Sequence, residues 1–192
     1  MYQQFLSGQR VYLRALEVAD VNERYLGWLH DAEVARYLEV GRFPVSENDL
    51  TGWIETFSDP TKAMAFAIVD KATNLHIGNI TLHSINWVHR TAEMGTMIGD
   101  KQFWGKGYAT ETRSLLIACA FERWGLRKLT VGNVEGNIGS ISSNKGLGFK
   151  EEGRLREQVF IDGEYHDVIR LGLFRNEFLP KTFGLKEDGP KH

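Results

Sequence analysis

Cysteine is almost missing from the 192 residues: Cys119 stands alone. That excludes an intrachain disulfide framework and a thiolate zinc cluster. An excess of either charge is missing too, with 23 lysines and arginines against 25 aspartates and glutamates, a net −2. Such a balance gives no electrostatic reason to bind nucleic acid or an anionic membrane. The longest apolar runs, Ala63–Val69 and Leu115–Phe121, fall far short of the roughly 20 residues that span a bilayer. Met1-Tyr2-Gln3-Gln4 carries neither the basic start nor the apolar stretch of a secretion signal. The six histidines offer no metal site, because His83 and His89 lack His-x-x-x-His spacing and no carboxylate or thiolate cluster joins them. The expectation is a soluble, cytoplasmic, globular protein that buries its own core: one domain over 1–180, then a polar tail over 181–192.

What is present is a patterned succession of short elements. Val11–Leu16 alternates like a first strand, and Asp20 stands where a helix N-cap would open a segment reaching about Leu38. Ser46 and Asp49 form a capping-box pattern ahead of Leu50, Trp53, Ile54 and Phe57, one apolar helix face. Met64–Asp70, Ile77–Ile85 and Thr91–Ile98 follow as three strands with short polar links, which predicts an antiparallel meander. A broadly apolar helix is predicted from Gly107 to Trp124, stopped by Gly125. Then come a strand at Leu129–Val134, a helix opening near Asn137, and strands at Phe149–Ile161 and Tyr165–Phe174 around the hairpin signal Asp162-Gly163. The pattern is that of a mixed α/β sheet.

The segment richest in chemistry is Gln102-Phe103-Trp104-Gly105-Lys106-Gly107-Tyr108-Ala109-Thr110-Glu111. Two glycines flank a lysine where a strand-to-helix link becomes a helix. Glycine lets successive N–H groups turn inward, and the helix start adds its own unbonded N–H groups, so the concavity suits a pyrophosphate. An ordinary loop that happens to hold two glycines is the competing reading. A Walker loop is ruled out, since no Gly-x-x-x-x-Gly-Lys-Ser/Thr run occurs. The dinucleotide fingerprint fits badly, because Thr110 stands where a third small residue is needed and the first glycine does not follow directly on a strand.

At these residues the sequence resembles the GNAT family of N-acetyltransferases. Gln102-x-x-Gly105-x-Gly107 matches that family's Q/R-x-x-G-x-G/A signature. Asn137-Ile138-Gly139-Ser140-Ile141, closing on Leu147-Gly148-Phe149, matches its second element at the family's spacing. The resemblance runs from about Val11 to Phe174 and is nearest to the Rim-type ribosomal-protein and the nucleotide-aminosugar branch. It implies a mostly antiparallel mixed sheet of about six to seven strands flanked by helices, with Glu93–Ile98 splayed from Leu129–Val134 to hold coenzyme A.

The resemblance also implies site residues. The pantetheine arm is expected to pair with backbone at Met97 and Ile98, as an added strand would. Gln102, Trp104, Gly105, Lys106, Gly107, Tyr108, Ala109 and Thr110 are expected around the pyrophosphate, with Asn137 and Ser140 on the arm; Lys106 solvated and Asn137 as a helix cap are the plain alternatives. Glu93 is the candidate base for an amine that arrives as ammonium, against the alternative of a salt-bridged strand residue. Many relatives carry a tyrosine where Asn144 stands, and an asparagine donates a hydrogen bond but no proton; Asn144, Ser140 and Ser143 are the polar groups near the leaving thiolate. Trp28, Tyr37, Trp87 and Phe160 fall where the family binds its acceptor, against the plain reading of each as a core or surface aromatic. The implied activity is acetyl transfer from acetyl-CoA, with no metal, to a primary amine of a small molecule or aminosugar, or to a peptide N-terminus. A non-catalytic acyl-CoA-binding module is the alternative, and pairing into a homodimer is left open.

Overall fold

The computed structural model describes residues 3–180. Its strands are β1 (Leu6–Ser7), β2 (Val11–Ala15), β3 (Met64–Asp70), β4 (His76–Asn86), β5 (Thr91–Ile98), β6 (Lys128–Val134), β7 (Lys150–Ile161) and β8 (Glu164–Phe174). The helices are α1 (Glu23–His30), α2 (Ala32–Ala35), α3 (Glu47–Glu55), α4 (Tyr108–Glu122) and α5 (Ile138–Lys145). All eight strands form one sheet in the order β1-β2-β3-β4-β5-β6-β8-β7. Every pairing is antiparallel except β5 with β6.

Both faces of the sheet are covered, and strand alternation divides the side chains between them. From β3, Phe66 and Ile68 join a core with Leu116, Ile117 and Ala120 of α4. Ala65, Ala67 and Val69 join a second core with Tyr25, Leu29, Leu50 and Ile54 of α1 and α3. The alternation of β2 therefore does not mean a solvated face. Tyr12 is buried in the second core, and Arg14 is buried against Asp20, which accepts from both its terminal nitrogens at 2.7 and 2.5 Å.

That ion pair corrects one expectation. Asp20 caps no long helix; it ends a 3-10 turn at Val18–Asp20, while Asn22 caps α1 by accepting from Tyr25 N. A second correction is the sheet's width, eight strands rather than six or seven, because the two-residue β1 is too short to show a period. The capping box at Ser46 and Asp49 forms as read. So does the hairpin turn, with Asp162 and Gly163 at φ +53° and +88°. Gly125 at φ +64° stops α4, and Leu126 N–H reaches back to the Ala120 carbonyl at 3.0 Å. No helix among the described residues is long and apolar enough to cross a membrane. The expected tail over 181–192 lies outside the described residues.

Candidate active site

The parallel pairing of β5 with β6 lasts three residues: Thr91 with Lys128, Ala92 with Leu129, Glu93 with Thr130. Beyond Glu93 the ladder stops, although β5 runs on to Ile98 and β6 to Val134. β4 stays paired with β5 up to Ile98, and β8 pairs with β6 along its whole length. A wedge therefore opens between two strands that are each held firmly from behind. Its β5 wall holds the backbone of Met97 and Ile98, with the Ile98 carbonyl accepting from Trp104 Nε1 at 2.7 Å.

The turn beyond β5 curls as its glycines permit. Gly105 and Gly107 take φ of +68° and +81°, a region in which a Cβ is strained. A Cβ on Gly105 would meet nothing within 4 Å, whereas one on Gly107 would sit 3.2 Å from the Arg10 guanidinium. Gly107 opens α4 without any side-chain cap, so the first N–H groups of that helix stay available to an anion. Arg10, which the sequence did not single out, braces this turn: it donates to the Lys106 carbonyl at 2.5 Å and to the buried Glu111 at 2.8 Å. Tyr108 donates to Asp70 (3.1 Å), and Thr110 bonds Ser143 of α5 (2.8 Å). Gln102, Trp104 and Lys106 are exposed, with Gln102 bonded to Asp100. Ala109 is half-buried in the first turn of α4. These residues fit a pyrophosphate and its pantetheine arm: a cradle of positive-φ glycine, an uncapped helix start and an unpaired strand edge.

Under the wedge lies a polar network. Arg113 of α4 is 6% exposed, donates to Thr96 Oγ1 (3.3 Å) and Ser140 Oγ (3.0 Å), and leaves Nη1 with no partner. Burial lowers its pKa to about 10. Ser140 Oγ also accepts from Asn133 Nδ2 at 2.9 Å. Both its lone pairs are thus taken, and its own proton is left to donate. Asn133 in turn accepts from Asn144 at 3.0 Å. Asn144, expected near the leaving group, is 1% exposed and spends its amide nitrogen inside this network. Asn137 accepts from Ser140 N at 3.2 Å and so caps α5, which leaves its Nδ2 end to donate.

Glu93 stands at the apex of the wedge, in the last paired position of β5 with β6, and is itself ion-paired. Arg170 of β8 reaches it across β6 with both terminal nitrogens, at 2.7 and 2.9 Å. The position between them is Gly132, where a Cβ would lie 2.9 Å from the guanidinium. The carboxylate retains lone pairs beyond the two that Arg170 occupies.

The aromatic residues expected at the acceptor do not gather in one place. Trp28 is buried in the second core, so close to Gly99 that a Cβ there would fall 2.0 Å from the indole. Trp87 donates to the Thr61 carbonyl at 2.6 Å in the β4–β5 turn. Tyr37 donates to the Gly136 carbonyl (3.1 Å), and Phe160 packs at a tilt against Tyr165, ring centroids 5.0 Å apart, near the tip of the β7–β8 hairpin. Instead, a cavity of about 270 Å³ opens on the α1–α3 side of β5, beside Gly95 and Met97. A larger hollow of about 570 Å³, between Phe5, Ile54, Phe57 and Trp124, touches no residue of β5. Cys119 is buried on the opposite side and its thiol is pushed up to about 11 by that burial, which disfavours an acyl-cysteine. Among the described residues, no group of three or more His, Cys, Asp or Glu side chains could hold a metal.

Comparisons with known proteins identify the family and the fold. The family model described as an acetyltransferase (GNAT) domain matches residues 10–150. YdaF of Bacillus subtilis (strain 168), whose name assigns it provisionally to ribosomal N-acetylation, is 31% identical over 166 residues, 86% of each chain. Spermidine N(1)-acetyltransferase of Vibrio cholerae is 32% identical over 117 residues, 61% of this chain and 66% of that one. The crystal structure of spermidine N-acetyltransferase from Vibrio cholerae with CoA and spermine superposes with a TM-score of 0.79 at 27% identity, covering 88% of this chain and 97% of the other.

Proposed function

The chain belongs to the acetyltransferase (GNAT) domain family, and from that membership we propose that it acetylates a small-molecule primary amine received on the α1–α3 side of β5. It is an acetyl-CoA-dependent N-acetyltransferase. The observation that carries the placement is the parting of β5 from β6 at Glu93, which gives a thioester and an amine two separate approaches to one point.

Acetyl-CoA, when bound, supplies an activated acetyl group as its thioester. The backbone N–H groups from Gly105 to Ala109 hold the paired phosphates, and the exposed backbone at Met97 pairs with the amide arm. Asn137 Nδ2 donates to the same arm. An alkylamine, with a pKa of about 10.4, arrives as ammonium and must lose a proton before its lone pair can attack. Glu93 takes that proton, directly or through one water, while Arg170 fixes the carboxylate's position. Ser140, held as a donor by Arg113 and Asn133, solvates the thiolate as it departs. A thiol pKa of about 8.5 makes departure without full protonation feasible, so Asn144 is not required to supply a proton.

The test is thiol release from acetyl-CoA with and without amines, for the native protein and for Ser140→Ala. Amine-dependent release that falls at least tenfold in the variant, with the acetyl-CoA KM within twofold, supports the assignment. Tight CoA binding with no turnover on any amine would instead make the chain a non-catalytic acyl-CoA-binding module.

A further inference from the structure

Strand alternation assigns β5 side chains to two compartments. Ala92 and Met94 lie in the α4 core, and Thr96 meets Arg113 of α4. Met97 packs with the α1–α3 core, and Glu93 and Gly95 share its parity. The cavity beside Gly95 and Met97 thus lies on the face that Glu93 occupies. Gly95 keeps it open: a Cβ there would sit 2.8 Å from Thr81 Oγ1.

The walls of this cavity are apolar, formed chiefly by Leu29, Leu38, Val45, Leu50, Trp53 and Met97. Asp49 is the one carboxylate among the described lining residues. Ser46 already bonds one of its oxygens through both N–H and hydroxyl, and those bonds hold its carboxyl below the usual carboxylate range. The other polar linings offer no negative charge. Tyr25 is buried, and burial drives its hydroxyl pKa upward, so it stays neutral. Asn79 turns its oxygen to His76, and its Nδ2 is sealed from water with no hydrogen-bond partner.

A buried ammonium needs an anionic partner, because the apolar wall cannot replace its hydration. Here one can be met by Glu93 at the wedge, while the body behind it meets leucine, valine, methionine and indole. The size also fits a compact body, since an apolar cavity of roughly 150 Å³ admits benzene. Asp49, exposed at the rim and kept ionised by its bonds from Ser46, offers a partner to one further ammonium of a linear polyamine, but any other would lie against Leu29, Leu38 and Leu50.

Resting on the acetyltransferase placement above, we propose that the acceptor is a monoamine with a compact apolar body, an arylalkylamine or branched alkylamine, rather than a polyamine. The experiment compares kcat/KM at saturating acetyl-CoA for phenethylamine, isoamylamine, ethanolamine, spermidine and a short peptide with a free N-terminus. The first two are expected to exceed the others at least tenfold. Val45→Glu should raise the phenethylamine KM at least tenfold and leave the acetyl-CoA KM within twofold; Trp53→Ala, on the exposed rim, serves if that variant does not fold. Equal or better use of spermidine, ethanolamine or the peptide overturns the proposal, as does CoA binding without turnover of any amine. A parallel calorimetric titration separates the two levels: if CoA itself does not bind, the acetyltransferase placement falls first and takes this inference with it.

Discussion

Arg170 closes on Glu93 with two parallel hydrogen bonds, and it does so by crossing β6 at a glycine. The forked contact fixes the carboxylate at the point where β5 and β6 separate. It also raises the pKa of Arg170 through its hydrogen bond to Glu93, so the guanidinium stays charged throughout the working range. Glu93→Gln is expected to lower kcat by about 10² or more, the scale of general base catalysis, with the acetyl-CoA KM within about twofold. Arg170→Met should lower kcat and displace the pH–rate profile. A merely structural pair would change the melting temperature and leave that profile in place.

Gly107→Ala tests the turn. Forcing a side chain into φ +81° costs about 1–2 kcal/mol, or roughly 2–8 °C in a chain of this size. The same Cβ presses on Arg10, so CoA affinity should fall at least tenfold by calorimetry. Gly105→Ala separates the two effects, because its Cβ meets no neighbour. It should show the dihedral cost alone, with a smaller loss of affinity.

How much of this was legible beforehand depended on whether a residue's partner was local. The glycine turn, the Ser46–Asp49 box and the Asp162-Gly163 hairpin are short-range devices, and each forms where its residues stand. Asp20 misled because its carboxylate turns back to Arg14 on β2 and to the Glu17 N–H of the 3-10 turn, leaving the cap of α1 to Asn22. For Trp28 helix position alone left a core place and an acceptor place both open, because it does not reveal Gly99 packed beneath the indole. Arg113 lay unseen within an apolar helix, since its contacts, Thr96 and Ser140, come from two other elements. The acceptor cavity was invisible for the same reason: its lining converges from helices, a loop and two strands.

Arg113 gives a prediction in which stability and activity part company. Its guanidinium is buried with no carboxylate partner among the described residues, and one nitrogen is unbonded. Such a charge costs stability. Arg113→Met, which keeps much of the volume, should leave the melting temperature unchanged or raised. Turnover should drop at least tenfold, because Ser140 loses the donor that orients it.

His76 makes stability pH-dependent. Burial against Tyr25 and Trp28 holds its pKa below 6.5, with Asn79 and Asp20 only partly offsetting that burial. Nε2 contacts two acceptors, Gly78 O and Asn79 Oδ1, so the neutral ring carries its proton there. The folded state then refuses a proton that the unfolded chain accepts below about 6.5, so stability is full above that pH and declines below it. Melting curves from pH 8 to 5 should show the decline, and His76→Gln should flatten it.

Hydrogen–deuterium exchange with saturating CoA tests the placement of the coenzyme most directly. The amides of 104–110 and 137–143, and those of Met97 and Ile98, should slow markedly, with the rest of the chain nearly unchanged. Protection confined to other segments, or none at a concentration where calorimetry shows binding, would contradict the assignment of the wedge between β5 and β6 as the coenzyme's seat.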